Sequence, residues 1–335
     1  MSAATRTQAD TVLVTGGCGF LGRALVRQIL AHTPWAVRVL ALPHEPVPPT
    51  WSDRVEVLRG DITRADDVER AVQGCGRIFH LAALVGDAGS VADHERVTVG
   101  GTALIFEAAR HHRASVVLTT SICAYGDAIQ RGPCAEDTPL GVPQGPYGHA
   151  KQGQERLAWQ FRDQGGQVCV VRPANIVGPG SGPWLLDAAH ALRQGLPALL
   201  SGGRGNAALA VVDNVADFLL LVSCTPQAQG QAFNIHDGLP VTWQRYFSDL
   251  AQLLGVPAPR SVPRGLAYLA ATLTEPLLRR LRPRQRPPVT REALNLIAWD
   301  SRFPTDRARA LGWAPRVTYE EMLGQLQQDI AERGC

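Results

Sequence analysis

A doubly wound parallel α/β sheet, followed by a smaller and mostly helical C-terminal lobe, is the fold this chain predicts. Three observations carry that reading. Short β-branched apolar runs alternate with stretches of helical periodicity over the first half of the 335 residues, and the first run stops at glycines that open a helix. After Pro173 the texture changes to glycine, proline and further helix. Strand alternating with helix implies parallel strands joined by right-handed crossovers.

Thr11 to Gly16 (TVLVTG) reads as a buried strand, because a short β-branched run bounded by glycine is too short for a helix. Phe20 to Ala31 repeats apolar residues at helical spacing, and Val37 to Leu42, Val55 to Leu58, Arg77 to Ala82 and Val116 to Thr120 are further strands. Ala65 to Val72 and Val97 to Ala109 are intervening helices, and Tyr147 to Phe161 followed by Val168 to Arg172 adds one more helix-strand step. Beyond it, Gly178 to Pro183 reads as a loop and Val215 to Val222 as a helix. Ala232 to Ile235 is expected to return one strand to the main sheet, before amphipathic helices at Trp243 to Leu254 and Tyr319 to Ile330. The predicted division is a nucleotide domain over residues 10–175, with a returning segment near 207–240, and a substrate lobe over 176–335.

With 45% hydrophobic residues, 19% charged residues and a net charge of +3, the composition is that of a globular chain. It offers no basic excess for a nucleic-acid partner. Seven scattered cysteines, with no CxxC pair, predict neither a metal site nor a disulfide framework. A polar Met1 to Asp10 and the lack of a membrane-length apolar run lead to an expected cytoplasmic location. Leu266 to Leu278, apolar and followed by arginines, is the one candidate for peripheral membrane contact, although such a helix more often covers a core.

Gly16-x-x-Gly19-x-x-Gly22, placed between the first strand and the first helix, is where a dinucleotide pyrophosphate would lie. Glycine permits the tight turn and the close backbone approach, and the helix N-terminus offers amide donors to phosphate. The fold is therefore Rossmann-like. The second strand ends Leu40-Ala41-Leu42-Pro43, without the acid that would bond a ribose or the arginine that would bond a 2′-phosphate. NAD and NADP both remain candidates, with a slight lean to NAD. Arg23 and Arg38 are possible phosphate ligands, and Asp61 could accept from an adenine amine or cap the helix that follows.

Tyr147 and Lys151 stand four apart on one helix face. A neighbouring ammonium lowers a phenol's pKa, which suits the tyrosine to exchange protons with an alcohol or carbonyl oxygen. Of 33 lysines and arginines, Lys151 is the only lysine, so its place four residues after a tyrosine is improbable as coincidence. Ser121, just past the fifth strand, is expected near the same reacting oxygen.

These residues, together with His80-Leu81-Ala82-Ala83, Tyr125-Gly126 and Arg172-Pro173-Ala174-Asn175, resemble the extended short-chain dehydrogenase/reductases. The second half, in Val212 to Ala216, Gly230 to Ile235 and Asp306 to Pro315, is most similar to the 3β-hydroxysteroid dehydrogenase/isomerase branch. The resemblance implies Ser121, Tyr147 and Lys151 as catalytic residues. It implies cofactor contacts from Gly16, Gly19, Phe20, Leu21, Gly22, Asp61, Ile62, Leu81, Ala82, Ala83, Thr119, Tyr147, Lys151, Pro173 and Asn175, and substrate contacts from Tyr125 and Asn175. It also implies a small-molecule substrate and a homodimer. Thr98 stands where the family often has asparagine.

The expected reaction is NAD(P)-dependent interconversion of a secondary alcohol and a ketone on an apolar, steroid-like or polyketide-like substrate. One alternative is a nucleoside-diphosphate-sugar 4-epimerase or reductase, against which Ala207 stands where relatives often carry an arginine. The other is a catalytically silent dinucleotide-binding scaffold, which would have no need of the serine, tyrosine and lysine together.

Overall fold

The computed structural model describes residues 11–281 and 287–333. The N-terminal stretch through Asp10, Cys335 and the middle of the Arg/Pro-rich stretch expected at 279–288 lie outside the described residues.

The chain opens with β1 (Thr11–Thr15), α1 (Phe20–His32), β2 (Ala36–Ala41), β3 (Val55–Arg59), α2 (Ala65–Val72) and β4 (Arg77–His80). A short α3 (Val91–His94) runs through a wide π-helical turn at Glu95–Val99 into α4 (Gly100–His112) and β5 (Ser115–Thr119). A 3₁₀ segment, Ile122–Arg131, leads to α5 (Pro146–Asp163) and β6 (Val168–Pro173). Next come β7 (Asn175–Val177), α6 (Ala188–Arg193), β8 (Pro197–Leu200), β9 (Leu209–Val211), α7 (Val212–Ser223) and β10 (Ala232–Ile235). The remainder is α8 (Trp243–Leu253), β11 (Arg260–Val262), α9 (Arg264–Leu281), α10 (Arg291–Ile297), α11 (Asp306–Ala310) and α12 (Tyr319–Arg333).

Seven parallel strands form the main sheet in the order β10-β6-β5-β4-β1-β2-β3. From β1 the chain winds outward to β3 and then returns to β4 on the opposite side. The strand order therefore reverses between β1 and β4, and a crevice opens at their carboxyl ends. Alternation along β1 decides which helices cover which face. Val12 and Val14 pack with α1 and α7 through Leu25, Ile29, Phe218 and Leu219. Leu13 points the other way, into a core with Val68, Ile105, Phe106 and Ala158 of α2, α4 and α5. A third core joins β7 and β9 to α8 and α12 through Val177, Leu209, Trp243, Tyr246 and Met322.

Most boundaries shift by a residue or so, α7 starts three residues early at Val212, a helical turn begins at Gly182 within the expected loop, and two further shifts bear on the site. The strand expected to run to Ala82 ends at His80, because the Leu81 and Ala82 amides turn back to the backbone oxygen and Oγ1 of Thr15. The helix expected from Val97 starts as the π turn, which brings Thr98 Oγ1 to the Leu84 amide at 3.1 Å. Thr98 is thus a buried structural acceptor.

α5 is fastened to the sheet by a buried ion pair. Arg172 on β6 donates Nε and Nη2 to the two carboxylate oxygens of Glu155, at 2.8 and 2.6 Å. Its Nη1 donates to Tyr125 Oη and to the Glu136 carbonyl at 2.8 and 3.0 Å, and Thr120 Oγ1 donates to Glu155 at 2.9 Å. Removing one partner strands a charge in a dry interior. Glu155→Gln should therefore lower unfolding free energy by about 3–5 kcal/mol, read from denaturant unfolding curves.

Candidate active site

The glycine loop leaves β1 at Gly16, whose φ of +70° suits only glycine without strain, and a Cβ there would lie 2.9 Å from the Ala82 nitrogen. A Cβ on Gly22 would collide with the Gly16 carbonyl oxygen, so this glycine allows α1 to start against the loop. No side chain caps α1 among the described residues, and its first residues, Phe20 to Gly22, line the crevice.

The crevice encloses about 480 Å³. Gly16, Gly19, Phe20, Leu21, Gly22, Asp61, Ile62, Leu81, Ala82, Ala83, Thr119, Tyr147 and Lys151 all line it, as do Leu42, Glu45, Leu84, Val85 and Ile176. The buried Thr119 Oγ1 has no hydrogen-bond partner among the described residues. A cradle that excludes any Cβ, an uncapped helix start and an orphaned hydroxyl together fit a dinucleotide. Gly16 to Gly22 would hold its phosphates, and Lys151 and Thr119 would face its far end.

Glu45, four residues past the end of β2, brings a carboxylate to the crevice wall. The loop after β2 folds back so that its carboxylate accepts from the Leu42 amide at 3.3 Å, within the crevice wall. Arg23 Nε is engaged by the Cys18 carbonyl at 2.7 Å. Arg38 is tied to Glu56 and to the Ala71 and Gln73 carbonyls at the end of α2, outside the crevice lining. Asp61 does not cap α2: its Oδ1 accepts from the amide and hydroxyl of Thr63, and Arg64 holds the cap position.

Tyr147 and Lys151, on the first turns of α5, meet Ser121 at the carboxyl end of β5. Ser121 stands close enough to the Tyr147 hydroxyl to favour its ionised form, and its Oγ accepts from the Cys123 amide at 3.1 Å. Lys151 Nζ sits 5.3 Å from the Tyr147 ring centre and donates to the Thr119 carbonyl at 3.1 Å and Gln154 Oε1 at 2.8 Å. Burial pushes the ammonium down to about 7, opposed by the nearby Cys123 and Glu155. Burial drives the Tyr147 phenol well above the ordinary phenol value; Cys123 and Glu292 add to this, and the neighbouring Ser121 opposes it. The resting phenol lies above its ordinary value because desolvation outweighs the pull of the Lys151 charge. The ammonium faces the ring and spends its donors elsewhere, so desolvation governs the phenol.

A buried polar chain continues behind Lys151. Gln154 Nε2 donates to Thr102 Oγ1 at 2.7 Å, and Thr102 Oγ1 donates to the Thr98 carbonyl. Thr102 therefore accepts from His80 Nε2, 2.9 Å away. Burial pushes His80 down to about 3, so the ring is neutral with its proton on Nε2. Its Nδ1 then accepts from Thr15 Oγ1 at 2.7 Å, and Thr15 Oγ1 itself accepts from the Ala82 amide.

Three expected residues lie elsewhere. Tyr125 is fully buried, its hydroxyl engaged by Arg172, Asn234 and the Ala135 carbonyl, and it cannot touch a substrate. Asn175 donates to the Ala207 carbonyl at 2.7 Å, and neither it nor Pro173 reaches the crevice, where Ile176 stands instead. Glu292, by contrast, has no local signal in the sequence. From α10 it accepts the amides of Tyr147, at 3.3 Å, and Gly148. A Cβ at Gly145 or Gly148 would occupy the space its carboxylate fills. Burial pushes Glu292 up to about 7, although the Gly148 and Tyr147 amides favour its charged form.

Residues 12–235 match the model of the NAD dependent epimerase/dehydratase family. The chain belongs to that family. It is 30% identical to a 2-alkyl-3-oxoalkanoate reductase of Stenotrophomonas maltophilia, over 96% of this chain and 99% of that protein. It is also 30% identical to a 4-hydroxy-2-methyl-3-oxo-4-farnesyl-3,4-dihydroquinoline-1-oxide ketoreductase of Stigmatella aurantiaca, over 94% and 95% of the two chains. Among solved structures, a dTDP-glucose 4,6-dehydratase from Streptomyces venezuelae aligns with a TM-score of 0.77 at 25% identity, over 97% of this chain and 98% of that one. These likenesses agree with the seven-stranded sheet and with an NAD(P)-dependent dehydrogenase/reductase of the extended short-chain type.

The Glu292 contact yields a pH prediction. Its negative charge raises the Tyr147 pKa, so Glu292→Gln should move the alkaline limb of the kcat–pH profile to lower pH. Dissociation constants for NAD should stay within about twofold, since Glu292 lies outside the crevice lining.

Proposed function

We propose that this protein reduces the ketone of an apolar β-keto substrate to a secondary alcohol. One observation carries the reading. A phenol that burial keeps protonated lines a crevice whose neighbouring wall is Leu84, Val85 and Ile176, with Ser121 beside it at the end of β5. A neutral phenol at working pH is an acid, and reduction of a carbonyl calls for one.

In this mechanism the carbonyl oxygen takes the place between Tyr147 and Ser121. Ser121 donates a hydrogen bond that polarises it, and Tyr147 gives up its proton as negative charge grows on that oxygen. The bound nicotinamide supplies the hydride equivalent that the protein's own side chains cannot. Lys151 stabilises the phenolate left on Tyr147, and the chain through Gln154 and Thr102 to His80 holds that ammonium in place. Residues 10–175 with the returning segment near 207–240 serve the cofactor in this reading, and residues 176–335 serve the substrate.

An apolar substrate agrees with the named activities of the two relatives. It also agrees with Ala207, which lies sealed in the core and offers no cation to a nucleotide diphosphate. The preferred cofactor is NAD, since Glu45 brings a carboxylate to the end of β2, where a 2′-phosphate would meet a like charge.

Following the absorbance of reduced cofactor with 2-alkyl-3-oxoalkanoates, hydroxysteroids and sugar nucleotides tests the reading. Turnover of the first class and none of the last is the expected result. Tyr147→Phe should lower kcat by about 100- to 10,000-fold with nearly unchanged cofactor affinity, and full activity in that variant would sink the mechanism. Glu45→Gln should improve NADP binding relative to NAD by roughly tenfold in a titration of both cofactors.

A further inference from the structure

α9 carries an apolar face that the rest of the chain leaves uncovered. Leu266, Leu269, Leu273, Leu277 and Leu281 recur at three- and four-residue steps, and each is between 56% and 67% exposed. They share one side of the helix. The inner side packs through Ala271, Ala267 and Tyr268 on Leu200 and Leu294. Polarity on the outer side is muted as well. Thr272 and Thr274 turn their hydroxyls onto their own helix, donating to the Tyr268 and Ala270 carbonyls at 2.8 Å each.

Charge is arranged around this face in a single sense. Arg260 and Arg264 precede it, and Arg280 stands in its last turn. From Arg260 to Leu281 the only carboxylate is Glu275, which is buried inward, 2.9 Å from Arg279 Nε. Arginines at both ends of a leucine stripe, with no exposed acid between them, complement a layer that is anionic at its surface and apolar beneath. No helix among the described residues is long and apolar enough to cross a membrane.

We propose that α9 docks flat on an anionic lipid surface, its leucines among the acyl chains and Arg260 and Arg280 at the headgroups. The helix is continuous with the crevice mouth. Arg279 donates to the backbone oxygens of Asp87 and Gly89 at 2.9 and 3.0 Å, in the loop that follows Leu84 and the exposed Val85. Docking would set that mouth beside the lipid. The docking itself does not depend on the ketoreductase reading.

Co-sedimentation of the full chain with vesicles tests the proposal. The protein should pellet with equimolar phosphatidylglycerol–phosphatidylcholine vesicles at low salt, pellet poorly with phosphatidylcholine alone, and be released as salt rises. Leu273→Asp with Leu277→Asp should weaken partitioning at least about a hundredfold, because two leucines leave the lipid. Both positions are exposed, and an unchanged circular dichroism spectrum and melting temperature would establish that the variant is folded. Arg260→Glu with Arg280→Glu provides a second variant that leaves the leucines intact, and it should abolish the preference for anionic vesicles. A wild-type chain that stays in the supernatant at low salt overturns the proposal. So does a folded leucine variant that pellets as well as the parent. If light scattering then shows a dimer that the leucine substitutions split, the face belongs to a second copy of the chain.

Discussion

Arg172 and Glu155 face each other with almost no access to water, and the candidate site hangs from that pair. Burying two charges is unfavourable unless nearly every donor and acceptor is used, and here the guanidinium makes four hydrogen bonds. Those bonds tie β6 to α5, to the 3₁₀ segment through Tyr125, and to the loop at Glu136. Thr120 adds the end of β5 to the same carboxylate. One interaction thus fixes the helix that carries Tyr147 and Lys151 against the strand end that carries Ser121. Its geometric demand also explains why Tyr125 serves the scaffold. The phenol is the partner that Nη1 requires.

Two arrangements divide the work around Lys151. Thr119 holds the ammonium from the sheet and Gln154 from its own helix, while the residues behind it keep His80 neutral and oriented. A charged histidine there would oppose the lysine across a dry interior, so the tautomer set by Thr15 and Thr102 matters as much as the lysine itself. The chain's otherwise exclusive use of arginine makes physical sense at this point. A compact ammonium fits between a carbonyl, an amide oxygen and a ring face, whereas a planar guanidinium presents a broader fork.

Most of the sheet and the cofactor crevice was legible in the sequence because their signals are local. α2 spans the predicted Ala65–Val72, while the end of β4 and the start of the α4 region shifted where Thr15 and Thr98 made unforeseen turn contacts. The glycine loop and the tyrosine-lysine pair declare themselves through spacing alone. Glu292 and Glu45 did not, since each acts through a fold-back that no periodicity encodes. The Glu292 carboxylate lies 145 residues from the amide of Tyr147 that it accepts. Tyr125 was misread for a related reason: a residue in a 3₁₀ segment at a sheet edge can face crevice or core, and only its partner on β6 decides. The small sheets β7-β9 and β8-β11 were likewise unseen, their strands being three or four residues long.

The reach of Glu292 has a consequence for the order in which the molecule matures. All seven strands of the main sheet are complete by Ile235, so the glycine loop and its crevice can assemble while the last hundred or so residues are still being synthesised. The first turn of α5, however, receives its carboxylate only once residue 292 has emerged and α10 has docked. A nascent chain therefore passes through a stage with its nucleotide fold in place and the turn around Tyr147 unfinished, and competence for chemistry comes last.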